Sequence, residues 1–161
     1  MDSVVLKNVK PSDLDHFFQH VQDKDAQYMA AFVSKDPSDR EAFDVHWQKL
    51  LDDPQIVVKT IHYQGKIVGH IAKFVMFDEP ELTYWIAREF WGIGIATTAL
   101  RLFLKEITVR PIYARAATDN QGSIRVLEKS GFEIAGKDKG FANARSKVIE
   151  EIIMKLDDGT M

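Results

Sequence analysis

No cysteine occurs in the 161 residues. That single absence excludes disulfides, thiolate zinc sites and a cysteine nucleophile. No apolar run approaches the roughly 18 residues of a membrane span. Met1-Asp2-Ser3-Val4 lacks the basic and apolar regions of a secretory signal, so a cytoplasmic location is the expectation. Nothing resembles a basic stripe that would grip nucleic acid. The five histidines, His16, His20, His46, His62 and His70, follow no zinc spacing. His16 and His20 share a helix face, but no third ligand accompanies them, and no metal is expected. Internal repeats, low-complexity tracts and linkers are also missing.

What is present is ordinary for a soluble globular chain: 45% hydrophobic and 28% charged residues. The length suits one domain over residues 1–161 with a sizeable core. The net charge of −3 is uneven. Residues 1–53 hold eleven acidic and six basic side chains, a balance of −5, and residues 54–161 hold thirteen and fifteen, a balance of +2. An acidic N-terminal part is either a solvated surface or a lobe that attracts a cationic substrate.

The pattern of apolar residues sets the elements. Val4–Val9 reads as a strand. A helix follows Pro11, with Ser12 as its N-cap and Leu14, Phe17, Phe18 and Val21 as its apolar stripe. Ala26–Val33 allows a second, short helix, and Ser38–Leu51 reads as a firmer one, ended by Asp52-Asp53-Pro54. Ile56–Tyr63 and Lys66–Phe77 flank Gln64-Gly65, a hairpin signal, and Gly69 hints at a bulge. Glu81–Ile86 is a fourth strand and Ile95–Ile107 a helix. Ile112–Ala117 is a buried strand, and Asn120–Lys129 a helix stopped at Gly131. Phe132–Ala135 and Lys147–Leu156 close the chain as strands around a loop, Gly136–Ser146. The order β-α-α-β-β-β-α-β-α-β-β implies an α/β, or α+β, fold: a seven-stranded mixed sheet with helices on both faces.

Arg88-Glu89-Phe90-Trp91-Gly92-Ile93-Gly94-Ile95-Ala96-Thr97 is the most informative stretch. A glycine turn between a strand and a helix N-terminus gathers free backbone N–H groups and the positive end of the helix dipole. Phosphate-bearing ligands bind there. A Rossmann turn wants Gly or Ala at position 97, where this chain has Thr97, and a P-loop needs Gly-Lys-Ser/Thr, which is absent. A second stretch runs from Asn120 through Ser123 to Arg125-Val126-Leu127-Glu128-Lys129-Ser130-Gly131-Phe132. Taken alone, its residues read as an N-cap, a first turn and a C-terminal stop.

Together, in this order, the two stretches resemble the GCN5-related N-acetyltransferase (GNAT) superfamily, and within it the ribosomal-protein N-terminal acetyltransferase-like branch. The resemblance implies the GNAT fold and acetyl-CoA as co-substrate. It implies that backbone N–H groups of Gly92, Ile93, Gly94, Ile95 and Ala96 cradle the pyrophosphate, with Thr97 also in the cofactor site; Arg88 reads either as a further phosphate partner or as a solvated arginine. Trp85, Ile86 and Ala87 would line the acyl arm, Asn120 would bond the pantetheine, and Ser123 would lie near the thiol. Two positions depart from the family pattern: Glu89 stands where Gln or Arg is usual, and Ile93 where the branch often has lysine.

Acetyl transfer to an amine requires removal of a proton from an ammonium whose pKa is about 10. It also requires a donor for the developing oxyanion and a partner for the departing thiolate. The resemblance assigns the base to Glu81, often acting through a water, and the oxyanion donor to a backbone N–H near Trp85 or Ile86. Many relatives carry a tyrosine acid four residues before the helix-ending glycine; this chain has Leu127 there. Ser123 is the substitute, as a hydrogen-bond donor to the thiolate, with Tyr84 and Tyr113 as alternatives. One of Glu150 and Glu151 must share the apolar side of the last strand and could face the acceptor. With no cysteine and no Ser-His-Asp set, direct attack in a ternary complex is expected rather than an acyl-enzyme. The acceptor reads as a primary amine, either a protein N-terminus or a small amine, with a cationic amine the candidate for the acidic part. Its identity is not legible, nor is the oligomeric state, a homodimer included. The alternative from another class is a non-catalytic acyl-CoA-binding or regulatory domain.

Overall fold

Thirteen elements follow the expected alternation closely. The computed structural model describes residues 3–157; residues 158–161 and Met1-Asp2, part of the stretch read for a targeting signal, lie outside the described residues. The strands are β1 (Val4–Asn8), β2 (Val57–Tyr63), β3 (Lys66–Met76), β4 (Glu79–Ile86), β5 (Ile112–Ala117), β6 (Glu133–Ala142) and β7 (Lys147–Leu156). The helices are α1 (Asp13–His20), α2 (Lys24–Ala30), α3 (Arg40–Asp52), α4 (Ile95–Glu106) and α5 (Gln121–Lys129), and a single 3₁₀ turn spans Arg88–Phe90. The strands form one mixed sheet in the order β1-β2-β3-β4-β5-β7-β6. All pairs are antiparallel except β4 with β5. Among the described residues no helix is long and apolar enough to cross a membrane.

Local chemistry corrects several boundaries. The three helical segments read between β1 and β2 are all present, one more than the β-α-α-β order counted, and aspartates cap two of them. Asp23 caps α2 by accepting from the Ala26 N–H (2.8 Å), and Asp39 caps α3 by accepting from the Ala42 N–H (3.0 Å). Ser12 stands at the N-cap position of α1 but makes no capping bond. Asp13 does the local work instead, its buried carboxylate accepting from the Lys10 N–H (2.9 Å) and the Thr60 hydroxyl (2.7 Å). The loop expected over 136–146 is mostly strand: β6 runs to Ala142 because its backbone pairs with β7 from Glu133 to Ala142. Between β3 and β4 only Phe77 and Asp78 turn the chain, both at positive φ, a tight hairpin turn that carries no glycine signal.

The sheet carries helices on both faces. On one, α4 and α5 bury Ile95, Ala99, Leu100, Phe103, Ile124 and Leu127 against Leu82, Ile86, Ile112, Ala114 and Met154. Each large apolar side chain so buried stabilises the fold by roughly 1.5–3 kcal/mol. On the other face, Phe17 of α1 packs its ring 5.0 Å from Trp47 of α3 and 4.8 Å from His70 of β3. His70 and His20 each keep a buried Nδ1 without a partner. Burial in this aromatic layer pushes the imidazoles down, to about 3 for His70 and about 4 for His20.

Gly69 fixes the spacing of β3 and β4. The expected bulge is there: the β2–β3 register slips between Ile61 and His62, opposite Gly69 and Ile67. The stronger constraint comes from the other side, where a Cβ on Gly69 would lie 2.0 Å from the Trp85 carbonyl oxygen. Gly69→Ala must push β4 away, and a loss of about 3 kcal/mol is expected in urea denaturation, at the upper end for overpacking. The histidine layer generates a second expectation. Both imidazoles are neutral when folded and titrate near 6.5 when unfolded, so the unfolded chain binds more protons and stability falls as the pH drops from about 6.5 toward about 4. His70→Leu should flatten that slope, measured as denaturation midpoints between about pH 7 and pH 5.

Candidate active site

The sheet opens where its single parallel pair fails. Among the described residues, β4 and β5 share one registered pair, Glu81 with Tyr113. Beyond it the strands diverge, and the β5-facing edge of β4 is left without a ladder. Strand alternation identifies the free groups. The Ala87 N–H donates to the Val68 carbonyl (2.8 Å), so Ala87, Trp85 and Thr83 direct their N–H groups at β3, while Ile86 and Tyr84 direct theirs into the split. Of the two residues near which the sequence put the oxyanion donor, Ile86 therefore meets the geometry and Trp85 does not. The Ile86 carbonyl is held by the Trp91 indole N–H (2.8 Å).

The glycine turn lies at the mouth of this split. Gly92 and Gly94 have φ of 79° and 88°, values that favour residues without a Cβ. A Cβ on Gly92 would meet nothing within 4 Å, so the space over that backbone is open. Gly94 is the N-cap of α4 and supplies no side chain to its N–H groups. The first bond of the helix is Thr98 N–H to the Gly94 carbonyl (3.1 Å). The backbone from Gly92 to Thr97 is thus an N-terminal concavity of the kind that holds phosphate, and the cradle suits a pyrophosphate.

On the α4–α5 side of β4, Tyr84 and Ser123 share a hydrogen bond of 2.9 Å between hydroxyls. Burial pushes the Tyr84 phenol above its usual value. Asn120 is more committed than the sequence suggested. Its Oδ1 accepts from the Ser123 N–H (3.2 Å) and its Nδ2 donates to the Met29 carbonyl (3.3 Å). The side chain expected to bind a pantetheine arm therefore caps α5 and ties it to α2.

The opposite face of β4 carries Glu81, only 4% exposed. Beside it on β5 is Arg115, with Nε 3.4 Å from Glu81 Oε2. Arg115 Nη1 reaches Asp138 of β6 at 3.0 Å and Glu151 of β7 at 3.5 Å. Glu151, 9% exposed, is the one of the last strand's two glutamates that turns inward. Burial raises the pKa of both Glu81 and Glu151, and the Arg115 charge opposes the rise. The Arg115 guanidinium also lies 5.5 Å from the centre of the Phe77 ring. Sequence reading missed Arg115 altogether, since a lone arginine in the strand Ile112–Ala117 carries no motif.

The acidic N-terminal part is largely spent on structure. Asp15 and Asp44 pair with Arg40 at 2.7 and 2.8 Å. Asp36 accepts from Ser38, while Asp13, Asp23 and Asp39 hold backbone groups as described. Arg88, read as a phosphate partner, is engaged by Asp25 and, at 3.7 Å, by Asp23, and its guanidinium lies 5.4 Å from the Trp91 ring centre. The physical reason is proximity: the α2 N-terminus lies beside the turn and saturates that cation. Arg145 is a second unforeseen residue. It forks onto Asp119 with two bonds of 2.9 Å and covers Tyr28 at 3.9 Å, tying the β6–β7 turn to the start of α5. Tyr113 sits at the apex of the split as the register partner of Glu81.

Comparison with known proteins gives a consistent result. The model of the acetyltransferase (GNAT) domain matches residues 3–133. A Bacillus subtilis (strain 168) protein, YdaF, provisionally described as a ribosomal N-acetyltransferase, is 26% identical over 148 residues, 84% of this chain and 81% of that protein. Among solved structures, Mycobacterium smegmatis RimJ in complex with CoA-disulfide superposes with a TM-score of 0.83 at 20% identity, covering 96% of this chain and 82% of its own. The spermidine N-acetyltransferase from Vibrio cholerae, in complex with CoA and spermine, gives 0.76 at 17% identity and covers 96% of each chain.

Proposed function

Because the chain belongs to the GNAT acetyltransferase family, we propose that it moves an acetyl group from acetyl-CoA to a primary amine by direct attack in a ternary complex. The observation that carries this reading is the β4–β5 split, with a donor-lined edge on one strand and the open glycine turn at its mouth. Acetyl-CoA supplies the activated acyl group. The N–H groups of Gly92 to Thr97 would hold its pyrophosphate, and the edge of β4 at Ile86 and Ala87 would line its arm. Two structures of the same fold, solved in complex with CoA-disulfide and with CoA and spermine, support acetyl-CoA as the co-substrate.

Glu81 takes the proton from the amine as it becomes a nucleophile. Its carboxylate stands at the apex of the split, on the face opposite Ser123. The Ile86 N–H donates to the thioester oxygen as negative charge grows there; a fixed donor of this kind is worth about 3 kcal/mol in the transition state. The Ser123 hydroxyl donates to the departing sulfur, and Tyr84 fixes its direction through their mutual bond. Three carboxylates around the one guanidinium of Arg115 leave a surplus of negative charge on this face, which favours a cationic acceptor. A protein N-terminus and a polyamine both meet that requirement.

An acceptor panel tests the reading directly, with coenzyme A release from acetyl-CoA as the signal. Turnover on at least one amine is expected, and acetyl-CoA binding without turnover on any would leave only a binding role. On the best acceptor, Glu81→Gln should lower turnover by roughly 100- to 10,000-fold near neutral pH, with acetyl-CoA affinity kept. Unchanged turnover would move the base elsewhere.

Gly94→Glu addresses the cofactor half. It adds bulk and like charge at a left-handed N-cap position (φ 88°), where a dianionic pyrophosphate would approach. Calorimetric titration of the folded variant should give an acetyl-CoA affinity at least about tenfold weaker, a loss of about 1.4 kcal/mol. Equal affinities would remove the turn from the binding site.

A further inference from the structure

Arg115 is the only residue of the sheet described above that contacts carboxylates from three other strands. It stands on β5 and meets Glu81 from β4, Asp138 from β6 and Glu151 from β7. The contacts are unequal. The hydrogen bond to Asp138 is 3.0 Å, that to Glu151 is stretched to 3.5 Å, and Nε approaches Glu81 at 3.4 Å without forming a hydrogen bond. Asp138 is the half-exposed anchor that orients the guanidinium. Glu81 and Glu151 are the two buried carboxylates that need its charge.

We propose that Arg115 is the positioning residue of this active site, holding the Glu81 carboxylate ionised and in place while leaving its oxygens free to receive a proton. The role rests on the assignment of Glu81 as base. A strong hydrogen bond to Arg115 would bring the carboxylate a charged donor and make it a poor base. No neighbouring cation at all would leave two buried like charges beside each other, one of which must then take up a proton. A charge contact without a hydrogen bond lies between these extremes. The other charged side chains near Glu81 are accounted for: Glu151 and Asp138 share the same guanidinium. The registers put Tyr113, Lys155 and Glu133 in the row beside Arg115. Across β3, Glu81 faces Phe74, which carries no charge. Burial raises the pKa of Glu81, and the nearby Arg115 opposes that rise.

The experiment combines a direct titration with a rate profile. The Glu81 side-chain carboxyl is followed by carbon-13 NMR against pH in the parent, Arg115→Gln and Arg115→Lys, with Glu81→Gln used to assign the signal. The acid limb of kcat/KM is measured on the same three proteins. In Arg115→Gln both midpoints should move up by about 1–3 pH units, the usual effect of an opposite charge at this range. Arg115→Lys should return both toward the parent. A purely structural role would reduce the amount of active protein and leave both midpoints where they were, which would overturn the proposal. A shifted NMR titration with an unmoved rate limb would remove Glu81 from the base role, and the proposal with it. If Arg115→Gln does not fold, the comparison is made in a Glu151→Gln background, where one buried carboxylate is gone and the remaining one can be titrated with and without Arg115.

Discussion

The parting of β4 from β5 is the constraint on which the rest of this structure depends. A ladder that continued beyond Glu81 and Tyr113 would satisfy the backbone of β4 on both edges and leave nothing to bind. By ending there, the sheet leaves the Ile86 and Tyr84 N–H groups without a β5 partner. Donors of that kind are fixed before a ligand arrives and need no reorganisation. Gly69 protects the arrangement from the other side. It lets β3 sit against the Trp85 carbonyl, so that β4 is held by one neighbour while it is released by the other.

The same split divides the chemistry between two faces of β4. Strand alternation sends Glu81 to the side of α1 and α3 and sends Tyr84 to the side of α4 and α5. Glu81 and the Tyr84–Ser123 hydroxyl pair therefore stand on opposite faces of β4. A base and a thiolate partner in direct contact would exchange a proton with each other. Under the proposed roles, separation by one strand would keep each in the protonation state that the reaction needs.

Charge is distributed by the same logic. The excess of acidic residues before position 54 keeps its net charge, while several of its carboxylates also cap helices or pair with Arg40 and Arg88. A second surplus lies around Arg115, on four strands far apart in sequence. Exposed ion pairs contribute little to stability, typically below about 1 kcal/mol. Arg115 is only 21% exposed and two of its three carboxylates are buried, so these charges are screened less than the surface pairs.

The alternation of strands and helices, the mixed sheet, the glycine turn opening α4 and the Asn120 cap of α5 were all legible along the chain. Each is local: apolar period, a missing Cβ, a side chain that reaches its own backbone. The sequence also pointed to Glu81 and Ser123, through motifs on single elements. Tertiary structure decided what those residues meet. That Ile86 and not Trp85 turns its N–H to the split follows from the β3 pairing. That Arg88 is neutralised follows from the position of α2, and that Asn120 is doubly used follows from the Met29 carbonyl. Arg115 was invisible for the same reason, because its three carboxylates come from positions 81, 138 and 151, and only the closing of the sheet brings them within 3.5 Å of one guanidinium. Local pattern encodes elements; the electrostatics of a site depend on distances that no pattern along the chain contains.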